Sequence, residues 1–152
     1  MQYILIKIGI PVVVGIIIIS AISGTDSGTS LVYTGTGDCF TGKITRIVDG
    51  DTLDVDNQRI RLALIDAPED NQPGFDEATN FVKRICRMGE EAVVDQDGMQ
   101  MYDNYDRMVA KVSCDGKLVN EELLKSGHVT IMEFFCDKSE FSGEDWVQKY
   151  GC

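Results

Sequence analysis

The stretch IVDGDTLDV at 47–55 gathers Asp49, Asp51 and Asp54 around one glycine, and LALIDAPE at 62–69 brings Asp66 and Glu69 close together. Two carboxylates at one end of a small sheet can hold a hard cation such as Ca2+, which prefers oxygen ligands and accepts backbone carbonyls and water beside carboxylates. Asp51, opening a strand, and Asp66, closing another, are the candidate pair. Glu69, just beyond Pro68, is a third acid, able to take a proton from a bound water or to hold that water as an outer ligand. Arg61 and Arg107 add two guanidinium forks, whose planar donors match phosphate oxygens as a lysine cannot. Facing a cation, they would bind a phosphodiester and stabilise the extra charge of its five-coordinate transition state. Taken as a pattern alone, Asp-Gly-Asp-Thr is more often a solvated hairpin turn, and an arginine in a strand is more often a surface ion pair. The single histidine, His128, follows Gly127 at a predicted helix end and reads as structural, which argues against a His-based nuclease or a zinc enzyme.

The surrounding pattern must place these groups. Residues 40–50 and 51–56 alternate apolar and polar side chains about Asp49-Gly50 and predict two antiparallel strands. Asp56-Asn57 makes a second turn, and 59–68 runs on as a third strand that Pro68 stops. Antiparallel pairing in that meander brings Asp51 and Asp66 to the same end, and Asp54 is expected only to solvate its strand. In 74–89 the period changes: Phe75, Ala78, Phe81, Val82 and Ile85 form one stripe, closed by Gly89, which predicts an amphipathic helix. EEAVVDQ and residues 107–117 are two further strands around a polar loop, and 117–127 spaces Leu118, Val119, Leu123 and Leu124 for a second helix. HVTIMEFF is extended, and SGEDWVQKYG predicts a short last helix with Ser142 as its N-cap. This order predicts an α+β fold, a five-stranded OB-type barrel with two to three packed helices.

Residues 1–23 carry one charge, Lys7, ahead of a run without ionisable side chains, and read as a signal peptide or an N-terminal membrane anchor. Cleavage after Ser23 and retention as an anchor both remain open. Lys7 before the run and Asp26 after it leave the rest outside the cytoplasm. Residues 24–38, rich in Gly, Ser and Thr, read as a flexible linker, and 39–152 as one folded domain. The net charge of −11 excludes nucleic-acid binding by bulk electrostatics, so a polyanion would have to be held by local arginines and a bound cation. None of the five cysteines sits in a C-x-x-C pair, so zinc-site spacing is absent. In an oxidising compartment two disulfides are expected. Their pairing stays open in the sequence, with Cys136–Cys152 able to staple the chain end and Cys86–Cys114 a second candidate bridge.

Four segments, IVDGDTLDV, RIRLALIDAPE, YDNYDRMVAKV and DGKLVNEELLKSGHV, follow the order and approximate spacing of the staphylococcal nuclease (thermonuclease) family, so that 39–135 resembles it. The resemblance implies an OB-fold enzyme that uses Ca2+ to hydrolyse DNA and RNA phosphodiesters and leaves 3′-phosphate ends. It implies Asp51, Asp66 and the backbone carbonyl of Ala67 as metal ligands, with Asp49 supporting them. Glu69 matches the general base, Arg61 and Arg107 the phosphate-binding arginines, and Tyr105 and Phe135 the residues beside the nucleotide. Against the family pattern, Asp106 stands for a glycine, Asn104 for a lysine and Glu133 for a tyrosine, and the loop after Glu69 is short. These departures lower the expected affinity for nucleic acid. The end of the chain looks like the Cys-bounded terminus of exported or membrane-tethered members, acting as a monomer on nucleic acid. The competing expectation is a catalytically inactive OB-type module, binding nucleic acid or protein outside the membrane.

Overall fold

The computed structural model describes residues 35–152; the expected signal peptide or anchor at 1–23, and most of the linker, lie outside the described residues. Strands β1 (Cys39–Ile47), β2 (Thr52–Val55) and β3 (Gln58–Leu62) form the meander that the alternation predicts. Asp56 and Asn57 turn β2 into β3 with φ of 48° and 65°, the doubly left-handed conformation of a tight hairpin that Asp and Asn tolerate. β1 serves two neighbours: residues 39–43 pair with β5 (Glu91–Gln96), and 44–47 pair with β2 across a register shift between Ile44 and Arg46. Such an irregularity bends a strand and lets a sheet curl. β5 pairs with β6 (Met108–Cys114), and β6 runs parallel to β3, with Ile60 opposite Met108 and Leu62 opposite Ala110. That last pairing closes a five-stranded barrel, and the two-residue β7 (Lys117–Leu118) pairs antiparallel with the end of β6.

The barrel is filled from every strand. Leu53, Val55, Ile60, Val94 and Val112 are wholly buried, and each stabilises the fold by about 1.5–3 kcal/mol through burial. Helix α1 (Phe75–Ile85) adds Ala78 and Val82 to this core, and α2 (Val119–Ser126) adds Val119 and Leu123. Asn120, also fully buried, joins α2 to the barrel: its Oδ1 accepts from Val112 N at 3.1 Å and its Nδ2 donates to Ala63 O at 3.0 Å. Every polar atom of that amide finds a partner, as a buried amide requires.

The third predicted strand is not continuous. Leu64 adopts φ 62°, which ends β3 at Leu62, and a separate two-residue strand β4 (Ile65–Asp66) pairs with β8 (Thr130–Ile131). Met132 N donates to Leu64 O at 2.9 Å and fixes the corner. An unbroken apolar run hides this break, because left-handed backbone in a leucine is imposed by tertiary contacts and has no local signature. Beyond β8 the chain forms two 3-10 turns, Glu133–Lys138 and Glu140–Gly143, and the four-residue α3 (Asp145–Gln148). Ser142 does not cap α3; it lies inside the second turn, and Glu144 holds the capping position without a side-chain bond. Ser139 is the serine that caps, its Oγ accepting from Phe141 N at 3.2 Å.

Asp54 departs from expectation as well. Its side chain is 12% exposed and pairs with Arg59 across the hairpin, so it supports the β2–β3 pairing. Disulfides join Cys86 to Cys114 and Cys136 to Cys152, with Cα separations of 5.4 and 5.5 Å, and Cys39 opens β1 at an exposed position. The first ties the end of α1 to the end of β6, and the second ties the chain terminus to the first 3-10 turn. No helix among the described residues is long and apolar enough to cross a membrane.

Candidate active site

The hairpin carrying Asp49 and Asp51 is pressed against the fold at Gly50. A methyl group there would fall 2.6 Å from the Ala78 Cβ and 2.8 Å from the Ala67 Cβ, so only glycine lets the turn sit between α1 and the residue after Asp66. Asp49 Oδ1 accepts from Asp51 N at 3.0 Å and fixes the turn, the supporting part expected of it. Asp51 is thereby directed inward and buried. Its Oδ2 accepts from Ala67 N at 2.9 Å, and its Oδ1 accepts from the Thr52 hydroxyl at 3.0 Å. Burial raises the Asp51 carboxyl above its ordinary range, outweighing the pull of the Arg61 guanidinium and of the Ala67 N–H.

Arg61, on β3, faces the same end. Its Nη1 donates to the carbonyls of Leu62 at 2.8 Å and Ile65 at 2.6 Å, while Nη2 lies 3.2 Å from both Asp51 Oδ2 and Asp66 Oδ1. Nη2 also approaches Met132 Sδ at 3.5 Å. The β3–β4 corner therefore has a direct consequence: it aims two carbonyls and the Asp66 carboxylate at one guanidinium. Asp66 itself is about half exposed, so its oxygens reach both Arg61 and solvent.

Arg107 lines, together with Arg61, one cleft of about 190 Å³. Its Nε donates to Asp103 Oδ2 at 2.6 Å, its Nη1 donates to Thr52 Oγ1 at 3.2 Å, and its guanidinium stands 5.3 Å from the Tyr105 ring centre. Burial pushes the Asp103 carboxyl up, but the N–H groups of Arg107 and Tyr105 and the Arg107 guanidinium hold it below its ordinary value. Asp106 adopts φ 58°, which explains why a glycine suits this place and why an aspartate can stand there. Tyr105, largely exposed, and Phe135 line the cleft, with Asn104, Gln100 and Met132 beside them.

Arg61, Arg107, Tyr105 and Phe135 thus share one cleft, and Asp51 and Asp66 touch it through Arg61. Glu69 does not line it. It is exposed on the turn after Pro68, where its N–H donates to Gln72 Oε1 at 2.9 Å. Sequence reasoning passed over Asp103, Thr52 and Met132. Asp103 had a usable signal: an aspartate two residues before Tyr105 and four before Arg107 can accept both N–H groups and the guanidinium, as it does here.

The oxygen set suits a hard cation. Asp51 Oδ2 and Asp66 Oδ1 both lie 3.2 Å from one nitrogen, so they are separated by at most twice that distance. The half-exposed Asp66 can close the remainder to the metal–oxygen distances of about 2.3–2.6 Å that Ca2+ requires. Among the described residues no three His, Cys, Asp or Glu side chains converge to hold a metal unaided. Further ligands would be backbone carbonyls and water, as Ca2+ accepts and zinc in a structural site does not.

Geometry of this kind defines an OB-type barrel with two arginines and two aspartates gathered at one end. Comparison with known proteins gives the family: residues 59–149 match the staphylococcal nuclease homologue family, and the chain belongs to it. Its relatives include a thermonuclease of Staphylococcus hyicus, 33% identical over 97 residues, covering 57% of this chain and 56% of that protein. An uncharacterized endonuclease of Escherichia coli O157:H7 is 33% identical over 97 residues, 60% of this chain and 61% of that protein. An uncharacterized protein of Bacillus anthracis is 36% identical over 104 residues, 62% of this chain and 48% of that protein. The chain spans about half the length of the relatives it matches.

Proposed function

We propose that this protein is a calcium-dependent nuclease, hydrolysing phosphodiester bonds of DNA or RNA to leave 3′-phosphate ends. The observation that carries the reading is the meeting of Asp51 and Asp66 at one guanidinium nitrogen of Arg61, in a cleft that Arg107 also lines. Asp51, Asp66 and the Ala67 carbonyl would hold the cation. When bound, Ca2+ would supply positive charge against the phosphate oxygens and orient a water.

The chain's own residues account for the rest. Arg61 and Arg107, which line the same cleft, bind the non-bridging phosphate oxygens and counter the charge that develops in the transition state. Asp103 and Thr52 orient the Arg107 fork. Phosphate binding competes with Asp66 for Arg61 Nη2, so a cation near Asp51 and Asp66 and a phosphate near Arg61 favour one another. Tyr105 and Phe135 provide apolar faces for the sugar and base. Glu69 acts as proton acceptor for the attacking water, which requires its turn to swing toward the cleft when substrate binds. The protein works as a monomer outside the cytoplasm, held to the membrane by 1–23 or released by cleavage after Ser23.

A second reading, a binding module without turnover, is favoured by one feature: both arginines are engaged by carboxylates of this chain. Glu69→Gln separates the two. A nuclease loses cleavage of single-stranded DNA and keeps binding; a wild-type protein that binds without cleaving at any Ca2+ concentration supports the module and refutes the enzyme.

A further inference from the structure

The short ladder of β4 and β8 has a hollow at each end. At one end Met132 N donates to Leu64 O at 2.9 Å, and both residues line the Arg61–Arg107 cleft. Two residues further along the chain Asp66 pairs with Thr130, and there a second groove of about 310 Å³ opens, with Asp66, Ala67, Gln72, His128 and Thr130 in its wall. No residue lines both hollows, yet two residues of strand span only about 7 Å. Asp66 links them, lining the groove while its Oδ1 lies 3.2 Å from Arg61 Nη2.

The groove has the parts of a seat for a nucleotide. His128 is half-buried, and its ring packs on Phe81 with centroids 5.2 Å apart and planes inclined at 59°, so the imidazole is a held face rather than a free arm. Gln72 accepts from Glu69 N through Oε1, which leaves its amide nitrogen as a donor, and Thr130 offers an exposed hydroxyl. Behind His128 stands the exposed Arg84, its guanidinium 5.4 Å from the Phe81 ring centre and in no ion pair among the described residues. A ring face for a base, with a local cation nearby for the backbone, is how single strands are held without reading their sequence. In a chain of net charge −11 the strand must be held by such local groups.

Continuity with the cleft selects the occupant. A phosphodiester bound by Arg61, Arg107 and an ion at Asp51 and Asp66 carries a nucleotide on each side. Tyr105 and Phe135 serve one of them. On the other flank of the ion, past Asp66 and Ala67, the open space is this groove.

We propose, resting on the nuclease reading, that the groove seats the nucleotide on the other side of the scissile phosphate from Tyr105 and Phe135, with the His128 ring as its stacking face. The substrate is then a single strand that occupies both hollows, and the protein holds at least two nucleotides of it.

The test compares two ligands in the full-length protein carrying Glu69→Gln, with Ca2+ present. Thymidine 5′-phosphate fills the Arg61–Arg107 cleft alone, whereas a thymidine hexanucleotide reaches both hollows. Adding His128→Ala should raise Kd for the hexanucleotide at least about fivefold, the low end for loss of one stacked base, and leave that for thymidine 5′-phosphate unchanged. His128→Phe keeps a ring on Phe81 and should restore the hexanucleotide, which separates a lost face from a disturbed fold. Photo-crosslinking gives an independent readout: a hexanucleotide of 5-iodo-2′-deoxyuridine should form adducts at His128 as well as at Tyr105 or Phe135. A His128→Ala form that binds the hexanucleotide as tightly as its parent, a loss shared equally by both ligands, or adducts confined to Tyr105 and Phe135 overturns this inference and leaves the nuclease reading standing. Wild type that binds the hexanucleotide without cutting it refutes the nuclease reading, and with it the scissile phosphate on which this inference rests, whatever His128→Ala does.

Discussion

Replacing Asp51 by asparagine should stabilise the metal-free protein while removing its function. The shape is unchanged, and an amide oxygen can still accept from Ala67 N, now 2.9 Å from Asp51 Oδ2. What is lost is one carboxylate contact of Arg61 at 3.2 Å, a gross attraction of about 5 kcal/mol at an effective dielectric constant near 20. Set against it is the desolvation of a buried carboxylate, several kcal/mol in practice, with repulsion from Asp49 added. The raised carboxyl of Asp51 says that the second effect wins. Arg61 also keeps Asp66 and the carbonyls of Leu62 and Ile65, so it is not left unpaired. A gain on the order of 1 kcal/mol is expected at pH 7 in EGTA, measurable by urea unfolding. The pH dependence has a definite sign. A carboxyl raised on folding contributes stability that is present below its ordinary value of 3.8 and lost as pH rises through the folded value, so the advantage of asparagine should vanish near pH 3. With Ca2+ the order should reverse, because the asparagine variant lacks a carboxylate ligand of the proposed cleft ion. A loss of about 1 kcal/mol or more in EGTA at pH 7 would refute the reasoning, since the carboxylate would then be net favourable.

Other parts of the molecule give sharp expectations. Arg107→Lys removes the fork that Asp103 and Thr52 orient, and kcat/KM on single-stranded DNA should fall by about a hundredfold or more while the melting temperature changes little. Glu140 is drawn upward by burial but held below its ordinary value of 4.5 by the N–H groups of Gly98 and Thr36 and the Thr36 hydroxyl. A carboxyl depressed on folding contributes stability above the unfolded value that is lost as pH falls through the folded one, so Glu140→Gln should flatten the acid limb of stability measured in EGTA. Replacing Cys86 and Cys114 together by alanine opens a loop with a sequence separation of 28 and should cost about 3–4 kcal/mol in urea unfolding, against about 3 kcal/mol for Cys136 and Cys152.

The barrel was legible because its strands alternate with period two and its first two helices stripe cleanly, and turn residues such as Asp56-Asn57 mark the junctions. Pattern alone fits Asp51, Asp66, Arg61 and Arg107 equally to a solvated hairpin turn and surface ion pairs; what singles them out is the order and spacing of the four segments that resemble the staphylococcal nuclease family. The failures share a cause. Leu64 breaks the third strand through a left-handed conformation stabilised by a bond from Met132, far along the chain, which no local window contains. Asp54 is buried because Arg59, across a hairpin, reaches it, whereas the alternation alone assigns it to solvent. Ser142 looked like a cap because a serine precedes acidic residues, yet packing of Phe141, 1% exposed, sets the 3-10 turn first and moves the helix start to Asp145. Asp97 and Glu140, which meet where Asp97 Oδ1 accepts from Glu140 N at 3.2 Å, carry no mutual signal, since the fold rather than their spacing brings them together.

The central claim is that the meeting of Asp51, Asp66, Arg61 and Arg107 is a metal-dependent phosphodiesterase site. Incubation of the purified protein with single-stranded DNA, with Ca2+, with a chelator, and with Ca2+ restored after chelation, tests it most directly. The account predicts cleavage with Ca2+ that leaves 3′-phosphate ends, stops with the chelator and returns with the ion; absence of metal-dependent cleavage across a range of salt and pH would contradict it.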